Sequence, residues 1–476
     1  QITELTTLLP SAELCERVCT LKDMSALHVL FLAVLLAMSA TGHAAALRAD
    51  LRHVDSGRGF TKRELLRRMA TRSRARVDSR WSPPPGRGAN AHAVTAPLTR
   101  GTVGKEEFNS DYVIHFAIGT PQPQPVALAL DTGSDLVWTQ CDCDVCFDQP
   151  FPALNTSASD TLRGVSCYDP LCTRGRLKLS GCAAGDNLCL YVYSYADKSM
   201  TTGLIFEDTF TFKAPNGKVA AVPNLRFGCG MYNAGKFGPT ESGVAGFARG
   251  PLSLPSLLKL PRFSHCFTAM VESRTSPMFL GTPDNLGAQA TGPIQSTPFV
   301  RSPAGPFGTL YYISLKGITV GKTRLPFDAS AFAVKDGVSG GTIIDSGSSI
   351  TSFPRPVFRS LRKAFMSQVP LPVANVSATD PDTMLCFLTS PKKEAPAMPK
   401  LILHLEGADW DLPRENYVVD VEDFEDGTGG GPCVVINSAD ESSPTIIGNF
   451  QQQNTHIVYD LENNKLVFVP ARCDKL

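Results

Sequence analysis

From Phe108 onward the chain consists of short apolar runs with alternating polar positions, punctuated by Gly, Pro and Asn: DYVIHFAIG, PVALAL, LCLYVYSY, LIFEDTFTF, LRFGCG, LYYISLKGITV, GTIIDSGSSIT, LILHLEG, TIIGNF, THIVYD and KLVFVP. Successive side chains of a strand point to opposite faces, so alternation with β-branched and aromatic enrichment predicts a mostly antiparallel sheet protein. Helical spacing in this part is confined to PRPVFRSLRKAFMSQV and the short PLSLPSLLKL. The expected fold class is mainly β.

The first hundred residues have another texture. MSALHVLFLAVLLAMSATGHA, residues 24–44, is an apolar run of signal-peptide length ending in small residues. The alternatives are an ordinary cytosolic leader and an uncleaved signal anchor, but for the anchor the run is short for a bilayer span. No second run of spanning length follows, so the expected mature form is not membrane-bound. The chain opens on Gln1, and Met24 is the expected start, which leaves residues 1–23, with Cys15 and Cys19, as upstream non-mature sequence. Next, LRADLRHVDSGRGFTKRELLRRMATRSRARVDSR carries Leu65, Leu66 and Met69 at helical spacing, before the Pro- and Gly-rich WSPPPGRGANAHAVTAPLTRG. Residues 45–100 read as a basic propeptide and linker, with the boundary near residues 90–108. A nuclear-localisation or nucleic-acid reading of the Arg cluster conflicts with the signal ahead of it.

Charge sharpens that division. The formal net charge of zero over 476 residues conceals a strongly basic stretch between Ala46 and Arg100, so the remainder is acidic and nucleic acid is not an expected partner. With 43% apolar residues the chain can bury a large core, and its length suggests about two to four domains.

Candidate chemistry lies where two core-like runs end in a carboxylate. Asp131 closes PVALAL and opens DTGS, and Asp345 closes GTII and opens DSGS. One such triplet is a weak signal, because Asp, Ser and Gly are turn formers. Here the device occurs twice, and the doubling extends further: GVAGFARGPLSL follows the first aspartate from Gly243 and PTIIGNFQQQN follows the second from Pro444. Such a repeat implies two similar lobes, each giving one aspartate loop to a shared cleft. On these motifs the sequence, from about Asp111 to Leu476, resembles the pepsin-like aspartic proteases, and among them the plant nepenthesin-type and nucellin-like secreted enzymes. The fold so implied is bilobal, with an N-terminal lobe over residues 101–290, containing a Cys-rich insertion and a flap, and a C-terminal lobe over 291–476.

Two carboxylates within about 3 Å cannot both ionise comfortably and hold one proton between them. The ionised member takes a proton from an attacking water while the protonated one stabilises the developing oxyanion. Asp131 and Asp345 are therefore the expected catalytic pair, and no cofactor or metal is implied. Gly133 and Gly347 let the backbone approach closely, and Ser134 and Ser348 can hydrogen-bond the outer carboxylate oxygens. The resemblance adds a cross-brace between Thr132 and Ser346. It also implies a flap hairpin in LYVYSYADKSMTTG whose Tyr195 hydroxyl meets the indole of Trp138, with Ala196 and Lys198 where Gly is more usual.

Of 14 cysteines, two precede Met24, and an even twelve in a secreted chain implies up to six disulfides. By resemblance the pairs are Cys141 with Cys143, Cys146 with Cys229, Cys167 with Cys189, Cys172 with Cys182, Cys266 with Cys473, and Cys386 with Cys433. Only Asp142 separates the first pair, which makes that bridge tight. CDCDVC can also be read as a metal knuckle, although no His stands at suitable spacing. Asn155 and Asn375 head glycosylation sequons, and His265, His404 and His456 read as strand or surface residues. The resemblance thus implies a monomeric acid endopeptidase acting on protein or peptide substrates, held as a zymogen by its own propeptide. Its destination is extracellular or cell wall, or else a vacuole or other endomembrane compartment. The alternatives are a catalytically inactive inhibitor of microbial glycanases, against which the intact aspartates argue, and a structural or receptor-like protein keeping the fold alone.

Overall fold

The core-like runs are strands because they are covered. Gln124–Asp131 is buried from Val126 to its end, as expected where both faces pack. The computed structural model describes residues 47–80 and 112–476, apart from 174–178, 184, 196, 214–216, 218, 271–274, 284, 306, 336, 338, 376–383, 390–396, 425–426 and 428. The expected signal peptide, Cys15 and Cys19, the linker and propeptide boundary, and Ala196 of the flap lie outside the described residues. Residues 46–476 form one compact unit.

Most strand pairs are antiparallel, and one 15-stranded sheet gathers most of the first half. The two strands that lead to the aspartates are among the exceptions. Gln124–Asp131 pairs in parallel with Gly243–Gly246, Asp131 standing opposite Gly246. In the second half Thr342–Ile344 pairs in parallel with Thr445–Ile447. Each parallel partner is the apolar pair and glycine that recur after each aspartate, so the repeat in the sequence is a repeat in strand pairing. The halves also share a floor: Thr455–Asp460 pairs with Arg262–Cys266, which brings C-terminal strands into the first sheet. The two helical patterns become Arg355–Gln368, which buries Val357, Phe358, Leu361, Ala364 and Phe365, and the single turn Leu254–Leu257.

The basic leader is part of this body. Its strand Leu47–His53 lies between Tyr112–Ile118 and Ser276–Leu280, antiparallel to both. Its helix Lys62–Arg80 begins with a capping box. The Thr61 hydroxyl accepts from the Glu64 N–H at 3.2 Å while the Glu64 carboxylate accepts from the Thr61 N–H at 2.7 Å. That hydrogen bond holds the Glu64 carboxyl below its usual range. Leu65, Leu66, Met69 and Ala70 bury one face of the helix against Met270 of the first half and Ile350, Phe424, Val435 and Phe450 of the second. No helix among the described residues is long and apolar enough to cross a membrane.

Candidate active site

Both aspartates sit at a strand end whose chain must turn sharply, and both are almost completely buried, Asp131 at 2% exposure and Asp345 at 0%. Each is held in the same way. Oδ1 of Asp131 accepts from the Gly133 N–H at 3.0 Å and Oδ2 from the Ser134 hydroxyl. Oδ1 of Asp345 accepts from the Gly347 N–H at 3.0 Å and Oδ2 from the Ser348 hydroxyl at 2.8 Å. Each carboxylate is thus satisfied within its own turn by a backbone donor and a hydroxyl, which fixes its orientation despite burial.

The loops are locked to each other by a reciprocal pair of bonds. The Thr132 N–H donates to Ser346 Oγ at 3.1 Å and the Ser346 N–H donates to Thr132 Oγ1 at 2.8 Å. Ser346 Oγ in turn donates to the Leu130 carbonyl at 3.3 Å. The brace therefore brings together the two residues on which the resemblance placed it. Beneath it lies Tyr459, whose hydroxyl is driven upward in pKa by burial and secondarily by the charge of Asp345.

Over the first loop stands the hairpin formed by Cys189–Ser194 and Met200–Lys213. The Trp138 indole N–H donates to the Tyr195 hydroxyl at 2.7 Å, and Phe237 packs edge-on against both rings. Burial, then Tyr193 and the Asp131 charge, hold the Tyr195 phenol well above its ordinary range, so it stays protonated. Lys198 turns the hairpin tip with φ 71°, the left-handed conformation that glycine favours.

The cysteines are bonded differently from expectation. The structure pairs Cys141 with Cys229, Cys143 with Cys146, Cys167 with Cys182, and Cys172 with Cys189. The expected pairs Cys141–Cys143, Cys146–Cys229, Cys167–Cys189 and Cys172–Cys182 are corrected accordingly. Cys141 and Cys143 lie two apart in the strand Val137–Val145, where extension separates their Cα atoms by about 6.6 Å, near the limit for a bridge. That strand runs parallel to Val219–Ala234 with Thr139 opposite Cys229, so buried Cys141 meets Cys229 and the shorter loop closes on Cys146. Cys182 and Cys189 are cross-strand partners, so spacing does not separate the two ways of joining them to Cys167 and Cys172. The helical turn Pro170–Thr173, which carries Cys172, does. Cys266–Cys473 and Cys386–Cys433 pair as expected. The metal-knuckle reading of CDCDVC falls because all three thiols are oxidised. Asn155 and Asn375 are exposed. His265 and His456 are buried strand residues, and His404 bonds Asp409 and Thr319.

Several supports of the site were missed in the sequence. The run QQQ after TIIGNF is buried: Gln451 Oε1 accepts from the Thr351 N–H at 2.8 Å, and Gln452 Nε2 donates to the Ile447 carbonyl at 2.9 Å. A polar run directly behind an apolar strand was the available signal. Asp135, the fifth residue of DTGSD, was also passed over.

Two family models cover most of the body: "Xylanase inhibitor N-terminal" over residues 112–282 and "Xylanase inhibitor C-terminal" over 310–470. Aspartic proteinase nepenthesin-1 of Nepenthes gracilis is 37% identical over 428 residues, 89% of each chain. The chain belongs to the plant nepenthesin-type, pepsin-like aspartic proteases. It is by that membership an aspartic endopeptidase. Nepenthesin-2 of the same plant is 34% identical over 90% of each chain. Among solved structures, the basic 7S globulin from soybean is similar in fold, with a TM-score of 0.59 at 20% identity over 77% of this chain and 95% of that one.

Proposed function

We propose that this protease cleaves peptide bonds with a water activated between Asp131 and Asp345, at acid pH, and that it is made as a secreted zymogen. The observation that carries the catalytic part is the pair of buried aspartate loops joined by the Thr132–Ser346 brace. In such a site one carboxylate takes the proton of the attacking water while the other, protonated, donates to the carbonyl oxygen. Tyr195, protonated and anchored on Trp138, closes the cleft from above. No cofactor is required, and the substrates are proteins or peptides.

The zymogen part rests on the leader, read as a propeptide. Its helix reaches the residues directly after the second aspartate turn: Arg72 Nε donates to Ser349 Oγ at 3.3 Å, Ser73 Oγ donates to the Ile350 carbonyl at 2.9 Å, and the Ile350 N–H donates back to Ser73 Oγ at 3.2 Å. The docking contacts described are chiefly apolar, and the buried ion pairs of Arg68 and Arg72 are with Asp55 of the leader itself, at 2.9 and 3.0 Å. Six disulfides and exposed sequons suit a secreted or endomembrane protein, and a monomer suffices for the chemistry. The inhibitor reading is not favoured, since both carboxylates and the flap tyrosine are present and oriented.

The test is to produce the chain from Met24, acidify, and measure cleavage of an unfolded protein with and without a statine-type transition-state analogue. Activity blocked by the analogue and abolished by Asp345→Asn is expected. Inactivity after confirmed leader removal, or activity surviving Asp345→Asn, overturns the reading.

A further inference from the structure

The fifth residue of the first loop does work that the second loop lacks. Asp135 lies four residues beyond Asp131, and its carboxylate joins two separate parts of the chain. Oδ1 accepts from the Gly250 N–H at 2.7 Å, and Oδ2 accepts from the Thr309 hydroxyl at 2.8 Å. Gly250 follows the strand that pairs with Gln124–Asp131, and Thr309 lies where the chain enters the second half. Those two segments also meet directly, the Arg249 N–H donating to the Thr309 carbonyl at 2.8 Å. The backbone of Asp135 faces a third part: its N–H donates to the Tyr193 hydroxyl at 3.1 Å. Tyr193 is in the hairpin over the loop, and its ring packs on Tyr195 with centroids 5.2 Å apart.

The seat is built for this side chain. A Cβ on Gly250 would come within 2.3 Å of Asp135 Cγ, and one on Gly246 within 2.3 Å of its carbonyl carbon. Both approaches are closer than any side chain permits, so Gly250 leaves the room in which the carboxylate sits and Gly246 the room for the backbone of Asp135. A charged acceptor receiving two donors in a half-buried seat is stronger than a neutral one. It fixes three elements on a turn that also carries Asp131.

Resting on the endopeptidase reading above, we propose that Asp135 is a positioning residue, which holds the flap hairpin and the second half in register with Asp131. It touches neither the reacting water nor the scissile bond. Its effect is on where Asp131 and Tyr195 stand relative to each other, and displacement of about 1 Å in such a geometry costs on the order of a hundredfold in rate.

The variants Asp135→Ala, Asp135→Asn, Thr309→Val and Tyr193→Phe, made in the full chain and matured in acid, separate this role from mere stabilisation. Active sites are counted with a statine-type inhibitor, and kcat and KM are measured on one peptide well below each melting temperature. Asp135→Ala is expected to lower kcat at least about tenfold with KM changed by less than about threefold. Asn keeps an acceptor for Gly250 and can meet the Thr309 hydroxyl, so Asp135→Asn is expected to recover most of kcat. Thr309→Val and Tyr193→Phe each remove one link and should lower kcat severalfold. Unchanged kcat in a folded Asp135→Ala protein overturns the proposal, as does an Asn variant no better than the Ala one. Should Asp135→Ala fail to fold, unchanged kcat in both Thr309→Val and Tyr193→Phe overturns it equally. An inactive wild type counts against the endopeptidase reading itself, whereas an active wild type beside unaffected variants counts against this proposal alone.

Discussion

The two aspartate loops are the same device through four residues and different at the fifth. Asp131-Thr-Gly-Ser and Asp345-Ser-Gly-Ser hold their carboxylates with matching bonds from Gly and Ser, and each lends a hydroxyl to the other's backbone. At the next position Asp135 ties the first loop to the hairpin and to Thr309. Ser349 in the second loop instead receives Arg72 of the leader. The shared part carries what chemistry needs twice. On the reading proposed above, the unshared part divides other tasks, closure on one side and restraint on the other.

The sharpest way to break the equivalence is to remove each carboxylate in turn. Asp131→Asn and Asp345→Asn are each expected to lower kcat by about a thousandfold or more, and the double variant should be little worse than either, because the pair acts as a unit. A loss below tenfold for one of them, measured after leader removal, would show that the loops are not equal partners.

Restraint on the second loop alone is tested through Asp55. The carboxylate and both guanidiniums are buried, with side-chain exposures of 0%, 7% and 1%. Removing one member of a buried ion cluster costs about 3–5 kcal/mol. Asp55→Asn should therefore release hydrogen-exchange protection over Leu47–His53 and the start of Lys62–Arg80 at neutral pH, and advance maturation to higher pH. Protection unchanged from wild type would mean that the apolar face of Leu65, Leu66 and Met69 docks the leader without this cluster.

A change in the common floor should affect both loops alike. His265 is fully buried, stacked on Phe267 with centroids 4.0 Å apart, and burial, with the neighbouring His456, pushes its pKa down to about 3. Burial lowers His456 to about 4. A lowered histidine disfavours the charged form in the fold. Stability is whole above the unfolded value near 6.5 and is lost as pH falls toward 3. His265→Phe should melt like wild type at pH 7.5 and be more stable than it at pH 4, by on the order of 3 kcal/mol. An equal difference at both pH values would show a packing effect instead.

Legibility in the sequence followed the same division. Strands came from period-2 alternation, and the aspartate turns from a motif seen twice, so LYVYSY, TIIGNF and THIVYD lie where strands form. Alternation carries no direction, so the two parallel ladders behind Asp131 and Asp345 did not follow from it. The cysteine count gave the membership of the six bridges, but the pairing taken from the resemblance misassigned four, because strand register and one helical turn set which sulfurs meet. Asp135 was hidden because a carboxylate in a turn is ordinary, and its partners Gly250 and Thr309 are more than a hundred residues away. The leader read as a helix from Leu65, Leu66 and Met69, but its surface of docking is a tertiary fact.

The smallest effect tests the brace itself, where the loops come nearest to symmetry. Each hydroxyl accepts one N–H from the other loop, so deleting either leaves a buried donor unpaired, at about 1–3 kcal/mol. Yet Ser346 Oγ also donates to the Leu130 carbonyl, a bond inside the strand that carries Asp131. Ser346→Ala should therefore cost more stability than Thr132→Ala, by roughly one hydrogen bond, about 1 kcal/mol. Both should lower kcat by less than either aspartate variant, since the carboxylates keep their own Gly and Ser donors. Thr132→Ser keeps the acceptor and should melt close to wild type, which separates the hydroxyl from the lost methyl. If Thr132→Ala proves as costly as Ser346→Ala by thermal melting, the brace is symmetric in energy as well as in form, and the difference between the loops begins only at Asp135 and Ser349.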